Sequence, residues 1–233
     1  MSKCPITLFY SFQNHRKIYI FLSLFLGILL LISHYFLQKY LFMRPCEQCV
    51  YIRFAMVIII IACFIAFINP KNDFLKSLFY VFAFFGIYYG INASLKLDDI
   101  YEAVKNQNAF GLSCKQIPIF PFNIELDKYF SFFKITGECG NDIAYVPKEE
   151  ISNLSSLQKF FIGNPNEFKD GIYSDGWYLL PWFDFINMAK FSLMVFCFCF
   201  FVVFLGFFAF IFKAKKFYSV FVVLASFLLI FLI

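Results

Sequence analysis

Cys46-Glu47-Gln48-Cys49 stands immediately before a long apolar run, so Cys49 lies at or near a helix N-terminus. Unpaired backbone N–H groups and the helix dipole favour thiolate there, which is the setting of a reactive cysteine. Arg53 follows four residues later, one helical turn on, where its guanidinium can stabilise a Cys49 thiolate or hydrogen-bond the carbonyl of a bound molecule. A charge several residues into an apolar helix costs roughly 2.5–3.5 kcal/mol on insertion scales and calls for a partner. Snorkelling of the side chain to the nearby interface is the alternative. A lone C-x-x-C could also be half of a zinc site with His34 as third ligand. Against metal, there is no second C-x-x-C and no H-x-x-H, and His34 sits inside an apolar run.

The elements that hold these residues are membrane helices. The chain has 233 residues, 61% hydrophobic and 24% aromatic, with only 15% charged, and its mean hydropathy is +0.73. An ordinary soluble domain carries roughly 25% charged residues, so a soluble fold is excluded. Residues 18–37, 50–68, 77–95 and 191–212 are apolar runs long enough to span a bilayer, and 217–233 is a shorter fifth. The first is too long for a signal-peptide core and lacks a small-residue cleavage site. The expected fold is all-α, with these runs as membrane helices and the short fifth run the last of them. The net charge of +5 comes from basic clusters flanking these runs, with no basic stripe or stacking motif for nucleic acid.

Basic residues in the short links set the orientation. Lys3, Arg16, Lys17, Lys71, Lys76, Lys213, Lys215 and Lys216 fall on one side, against Lys39 and Arg44 on the other. The N-terminus is therefore expected in the cytoplasm, and the first link and the long segment from about 96 to 182 outside. That segment is acidic and loop-rich, broken by Pro118, Pro121, Pro147 and Pro165. Its apolar pieces, 117–122 and 128–133, are expected against the membrane surface rather than in a closed core. Four of the eight cysteines, Cys46, Cys49, Cys114 and Cys139, then face the oxidising side; Cys4 is cytoplasmic, and Cys63, Cys197 and Cys199 read as small apolar residues buried in the spans. Cys114 and Cys139 close a loop on the outer side. That bridge reads either as a stabilising disulfide or as one half of an exchange, with a mobile loop meeting a soluble partner and the anchored Cys46/Cys49 pair meeting an acceptor in the bilayer.

These residues resemble the DsbB-type quinone-dependent disulfide oxidoreductases of the bacterial inner membrane. The landmarks run in family order: Pro45-Cys46-Glu47-Gln48-Cys49-Val50-Tyr51-Ile52-Arg53, Asn69-Pro70-Lys71, Leu126-Asp127-Lys128-Tyr129 and Thr136-Gly137-Glu138-Cys139. Gly176-Trp177-Tyr178-Leu179-Leu180-Pro181 and Asn187-Met188-Ala189 look like the DsbI branch, whose second outer loop is longer. The resemblance implies a four-helix transmembrane bundle over residues 1–216 with 217–233 as an additional hydrophobic helix, all four outer cysteines active, a bound ubiquinone or menaquinone, and a periplasmic thioredoxin-fold partner of the DsbA or DsbL type. It implies that Cys114 forms the mixed disulfide with that partner, and that Cys139 pairs with Cys114 at rest and engages Cys46 during relay. Cys49 would pass electrons to the quinone, and Arg53 would hold the quinone and favour the Cys49 thiolate.

Two departures stand out. The fifth run is additional to the family's four spans, and could cross the membrane or lie on its inner surface. The family's polar residues late in the third span are not clearly reproduced, since Asn92, Lys96 and Asp98 occupy that neighbourhood. Two rival readings remain: a vitamin K epoxide reductase-like bundle, in which the quinone-proximal C-x-x-C belongs late rather than before the second span, and a non-catalytic membrane protein whose outer disulfides staple a loop.

Overall fold

Long apolar runs without proline leave the backbone one way to satisfy its N–H and C=O groups in lipid, which is to form helices. In the computed structural model, which describes residues 10–106, 114–140, 142–164, 170–183, 185–213 and 216–231, four helices are long and apolar enough to cross a membrane. Helix α1 (Arg16–Leu31) continues into a π-helical stretch, Ile32–Tyr40. Helix α2 is Glu47–Ile68 and α3 is Asp73–Lys105. After two short helices, α4 (Leu126–Tyr129) and α5 (Ser156–Ile162), a hairpin of β1 (Tyr178–Leu180) and β2 (Phe185–Asn187) leads into α6 (Met188–Lys213). The further apolar helix α7, Lys216–Phe231, is about 24 Å long at 1.5 Å per residue. Cys4, Lys3, Pro165 and Lys215 lie outside the described residues.

Helix α3 runs some ten residues past the expected end of the third span. The sequence 96–105 contains no Gly or Pro, and Ala93, Leu97 and Ile100 continue a buried stripe at helical spacing, so nothing stops the helix where hydropathy falls. The first ten residues of the polar segment, 96–105, are therefore helical rather than loop.

The chain divides into two compact units. The first, Met1–Leu29, Phe54–Ile91 and Met194–Ile233, is a helix bundle filled by aromatic rings. Tyr19, Leu22 and Leu26 form the buried stripe of α1, with Phe79 edge-on to Tyr19 at 5.1 Å. Tyr80 packs on Phe207 and Phe210 of α6, each at 5.2 Å, and Val222 of α7 is fully buried. Phe21, Leu24, Phe64 and Phe201 face outward, an apolar exterior suited to lipid.

The second unit, Leu30–Arg53 and Asn92–Leu193, carries the polar segment. Leu37, Leu41 and Met43 form a core with Leu154 and Ile162. Helix α5 is set on it by a capping box between Ser155 and Gln158, and Gln158 Nε2 donates to the Tyr40 carbonyl at 2.9 Å. Phe161, Tyr173 and Trp177 stack in series beside it. The pieces expected on the membrane surface are split: Phe120 and Phe133 are buried edge to face at 5.6 Å, while Ile117, Phe122 and Tyr129 are exposed. The segment thus has a small closed core, made possible because it borrows the end of the first span as one wall.

In the first unit, a Cβ on Gly90 would run into the ring of fully buried Phe196. Gly90→Val is expected to cost about 1–3 kcal/mol and lower the unfolding temperature of the detergent-solubilised protein; an unchanged transition would contradict this packing.

Candidate active site

Cys46 precedes the first residue of α2 and Cys49 is the third, so both sit at the helix N-terminus where orphan N–H groups point outward. The Cys49 N–H reaches Cys46 Sγ at 3.3 Å, and Val50 N–H closes the first turn on the Cys46 carbonyl at 3.1 Å. The two sulfurs are 2.6 Å apart and buried, a small movement from the roughly 2.05 Å of a disulfide. The hydrogen bond with Cys49, together with burial, holds the Cys46 thiol well above its ordinary range.

Cys114 and Cys139 form a disulfide with Cα atoms 6.0 Å apart, half exposed at the surface of the second unit. Both flanks of this bridge are tied to the segment bearing Cys46. After Cys114, Lys115 N–H donates to Glu47 Oε2 at 2.8 Å and Ile119 N–H to Tyr51 Oη at 3.0 Å, while the Tyr51 hydroxyl donates to Glu47 Oε1 at 3.0 Å. Before Cys139, the N–H groups of Thr136 and Gly137 both donate to the Pro45 carbonyl, at 3.1 and 3.0 Å. Gly137 lies so close to the Arg44 backbone that no side chain fits. Gly140 has φ +79° and packs on Val104 and Ile100 of α3. The loop expected to be a mobile arm is pinned on either side of its disulfide.

Arg53 is 5% exposed. Its Nε donates to Ser33 Oγ at 3.1 Å, one terminal nitrogen to Gln38 Oε1 at 2.7 Å and the Phe132 carbonyl at 3.2 Å, and the other to the Ser33 carbonyl at 3.2 Å. The Phe132 ring lies 5.2 Å from the guanidinium carbon. The charge is met by protein acceptors rather than carried to an interface. Gln38 Oε1 also faces His34 Nδ1 at 3.0 Å, so His34 braces the arginine's partner. A π-helix is rare and tends to occur at functional sites, and here it carries both residues. These four bonds engage four of the five guanidinium N–H groups, leaving one without a protein acceptor among the described residues.

A small cavity is lined by Cys49, Arg53, Ser33, Leu37, Met188 and Asp142, among others. Its walls bring together apolar side chains, a cationic donor with an N–H to spare and a sulfur at a helix N-terminus, groups that suit a carbonyl oxygen, but at about 20 Å³ the space is that of a single water, so a ring could enter only if the walls moved apart. The Asp142 carboxylate accepts a hydrogen bond from the Tyr101 hydroxyl, and burial pushes its pKa up to about 6.

Cys63 and Cys199 are buried in the first unit, but Cys197 is exposed on the outer face of α6. Among the described residues no three His, Cys, Asp or Glu side chains converge as a metal site would need. The four outer cysteines and Arg53 were legible in the sequence; Ser33, Gln38, Glu47, Tyr51, Tyr101 and Asp142 were not. Glu47 and Tyr51 at i, i+4 on the same turn as Cys49 were the available signal for two of them.

A family model described as "Disulfide bond formation protein DsbB" matches residues 15–211. The chain is 45% identical over 209 residues to a Campylobacter jejuni protein named putative protein-disulfide oxidoreductase DsbI, covering 88% of this chain and 79% of that one. It is 40% identical over 200 residues to an Escherichia coli protein-disulfide oxidoreductase DsbI (84% and 86% covered), and 39% identical over 214 residues to a Campylobacter fetus protein named as putative DsbI (91% and 95%). No solved structure matches the chain.

Because Gly140 adopts a left-handed φ against α3 immediately after Cys139, Gly140→Val is expected to displace Cys139 and leave a substantial fraction of the Cys114–Cys139 bridge open. Thiol trapping followed by a non-reducing mobility shift reads this directly, and wild-type closure would contradict it.

Proposed function

The chain belongs to the DsbB family and is a disulfide oxidoreductase of multi-pass membrane type; we propose that it reoxidises a periplasmic thioredoxin-fold protein of the DsbA or DsbL kind and passes the electrons to membrane quinone. The observation that carries this reading is the pinning of the Cys114–Cys139 disulfide to the turn that holds Cys46 and Cys49. In this reading the N-terminus is cytoplasmic, the four cysteines face the periplasm, and residues 1–216 form the oxidoreductase with 217–233 as an addition.

A partner thiolate attacks Cys114 Sγ, forming a mixed disulfide and releasing Cys139 as thiolate. Cys139 attacks Cys46 Sγ, which breaks the Cys46–Cys49 bond and frees Cys49. The partner's second thiol resolves the mixed disulfide and departs oxidised. Cys114 then attacks Cys139, restoring the loop disulfide and leaving Cys46 and Cys49 reduced. A bound ubiquinone or menaquinone supplies an acceptor for two electrons and two protons. The uncommitted Arg53 N–H would hold a carbonyl oxygen of that ring, Cys49 would face it across the cavity, and the apolar walls would exclude water.

Three substitutions test the two ends. With a reduced thioredoxin-fold partner, the purified wild type is expected to reduce quinone; Cys49→Ser is expected to abolish that reduction while the Cys114–Cys139 bridge stays closed, and Cys114→Ser to abolish turnover with the partner. Quinone reduction retained in Cys49→Ser would sink the assignment. Arg53→Ala is expected to raise the apparent quinone KM about tenfold or more, as loss of a charged hydrogen bond implies, with partner binding little changed. An unchanged quinone KM would remove Arg53 from the acceptor site.

A further inference from the structure

Reoxidation of a reduced Cys46/Cys49 pair requires the Cys46 S–H bond to break, yet burial and the contact with Cys49 hold that proton on. A base must therefore lie within the same closed region. The candidates can be enumerated. Glu47 is taken by Lys115 N–H and the Tyr51 hydroxyl. Arg44, lying 3.6 Å over the Tyr145 ring, and Arg53, engaged by Ser33, Gln38 and Phe132, are cations. Among the described residues that line the cavity, Asp142 is the carboxylate. It lines the cavity with Cys49, Arg53 and Arg44, and its negative charge acts on Cys46. Tyr101 of α3 holds it by a hydrogen bond, while the Tyr145 N–H bonded to the Phe42 carbonyl at 3.0 Å and the Met43–Ala144 bridge fix its backbone alongside the Cys46 turn.

We propose that Asp142, oriented by Tyr101, is the proton acceptor for Cys46 when the pair is reoxidised. This rests on the disulfide-exchange reading above. The carboxylate takes the Cys46 proton; the Cys46 thiolate bonds to Cys49 Sγ as two electrons leave through Cys49 to the acceptor. The acceptor, a quinone in that reading, gains two electrons and two protons, one proton from each thiol, and Asp142 gives up its own to return to carboxylate. The carboxyl's raised pKa of about 6 leaves it ionised at neutral pH and makes it a stronger base than an ordinary carboxylate. Below that pH it is protonated and cannot accept, so reoxidation should fall on the acid side.

The test compares wild type with Asp142→Asn and Asp142→Glu in the full-length, detergent-solubilised chain. First, the pair is reduced and the pH dependence of Cys46 alkylation by a small neutral reagent is read by peptide mass spectrometry, with neither quinone nor partner present. Asp142→Asn removes a negative neighbour and should shift the Cys46 profile to lower pH by about one unit, a tenfold change in thiolate fraction; Asp142→Glu should return it towards wild type. Second, reoxidation of the pair is timed with a soluble quinone and, separately, with glutathione disulfide. Asp142→Asn should slow both by about tenfold or more and abolish the acid limb near pH 6, although its thiol is easier to ionise. A merely structural role would leave the alkylation profile in place, and an unshifted profile overturns the proposal, as does a shifted profile with an unchanged reoxidation rate. Should wild type be reoxidised by the disulfide alone, the quinone reading fails and the Asp142 assignment is decided by the glutathione rates.

Discussion

A guanidinium inside an apolar helix is the constraint around which the second unit is organised. Among the described residues Arg53 makes no ion pair with a carboxylate, and its charge is met by neutral acceptors brought from elsewhere in the chain. The π-helical end of the first span supplies Ser33 and Gln38, and the polar segment supplies the Phe132 carbonyl and ring. Each acceptor is thereby fixed relative to Cys49, one turn away. The cost of burying the charge is offset by bonds that also build the cavity wall, and the single unclaimed N–H is what a carbonyl-bearing acceptor would find.

The same helix terminus organises the cysteines. Glu47 and Tyr51 lie one turn apart and take the backbone that follows Cys114, while the Pro45 carbonyl takes the backbone that precedes Cys139. A disulfide that merely stapled the segment would need none of these ties to the reactive turn. Exchange between two disulfides needs sulfur to meet sulfur along the S–S axis, and the loop cannot wander far from that encounter while these four bonds hold. The ties that anchor the loop are thus also the ones that hold its disulfide to the turn bearing Cys46 and Cys49.

Much of this was legible in the sequence, for physical reasons that also mark where reading stopped. Apolar length gave the spans, because backbone in lipid has no alternative to the helix, and the C-x-x-C at a helix start with Arg53 one turn on gave the reactive end. Hydropathy could not place the end of α3, since Leu97 and Ile100 continue its buried stripe among polar neighbours. Nor could it show that 117–133 would bury Phe120 and Phe133 while exposing their neighbours, a division set by contacts with Tyr51 and each other. Ser33 reads as a minor polar residue within an apolar run, Gln38 as the first residue beyond it, and Asp142 as one acid among twelve in an acidic segment. Their importance comes from tertiary placement beside Arg53 and Cys46, which one-dimensional spacing does not encode.

Whether the loop disulfide can exchange with the anchored pair is read by disulfide mapping of a double variant, Cys49→Ser with Cys114→Ser, in native membranes. Only Cys46 and Cys139 then remain of the four. The account predicts that they join spontaneously into a Cys46–Cys139 disulfide, recovered as one linked peptide pair under non-reducing conditions. Free thiols at both positions, under conditions in which the wild-type Cys114–Cys139 bridge is fully closed, would contradict it.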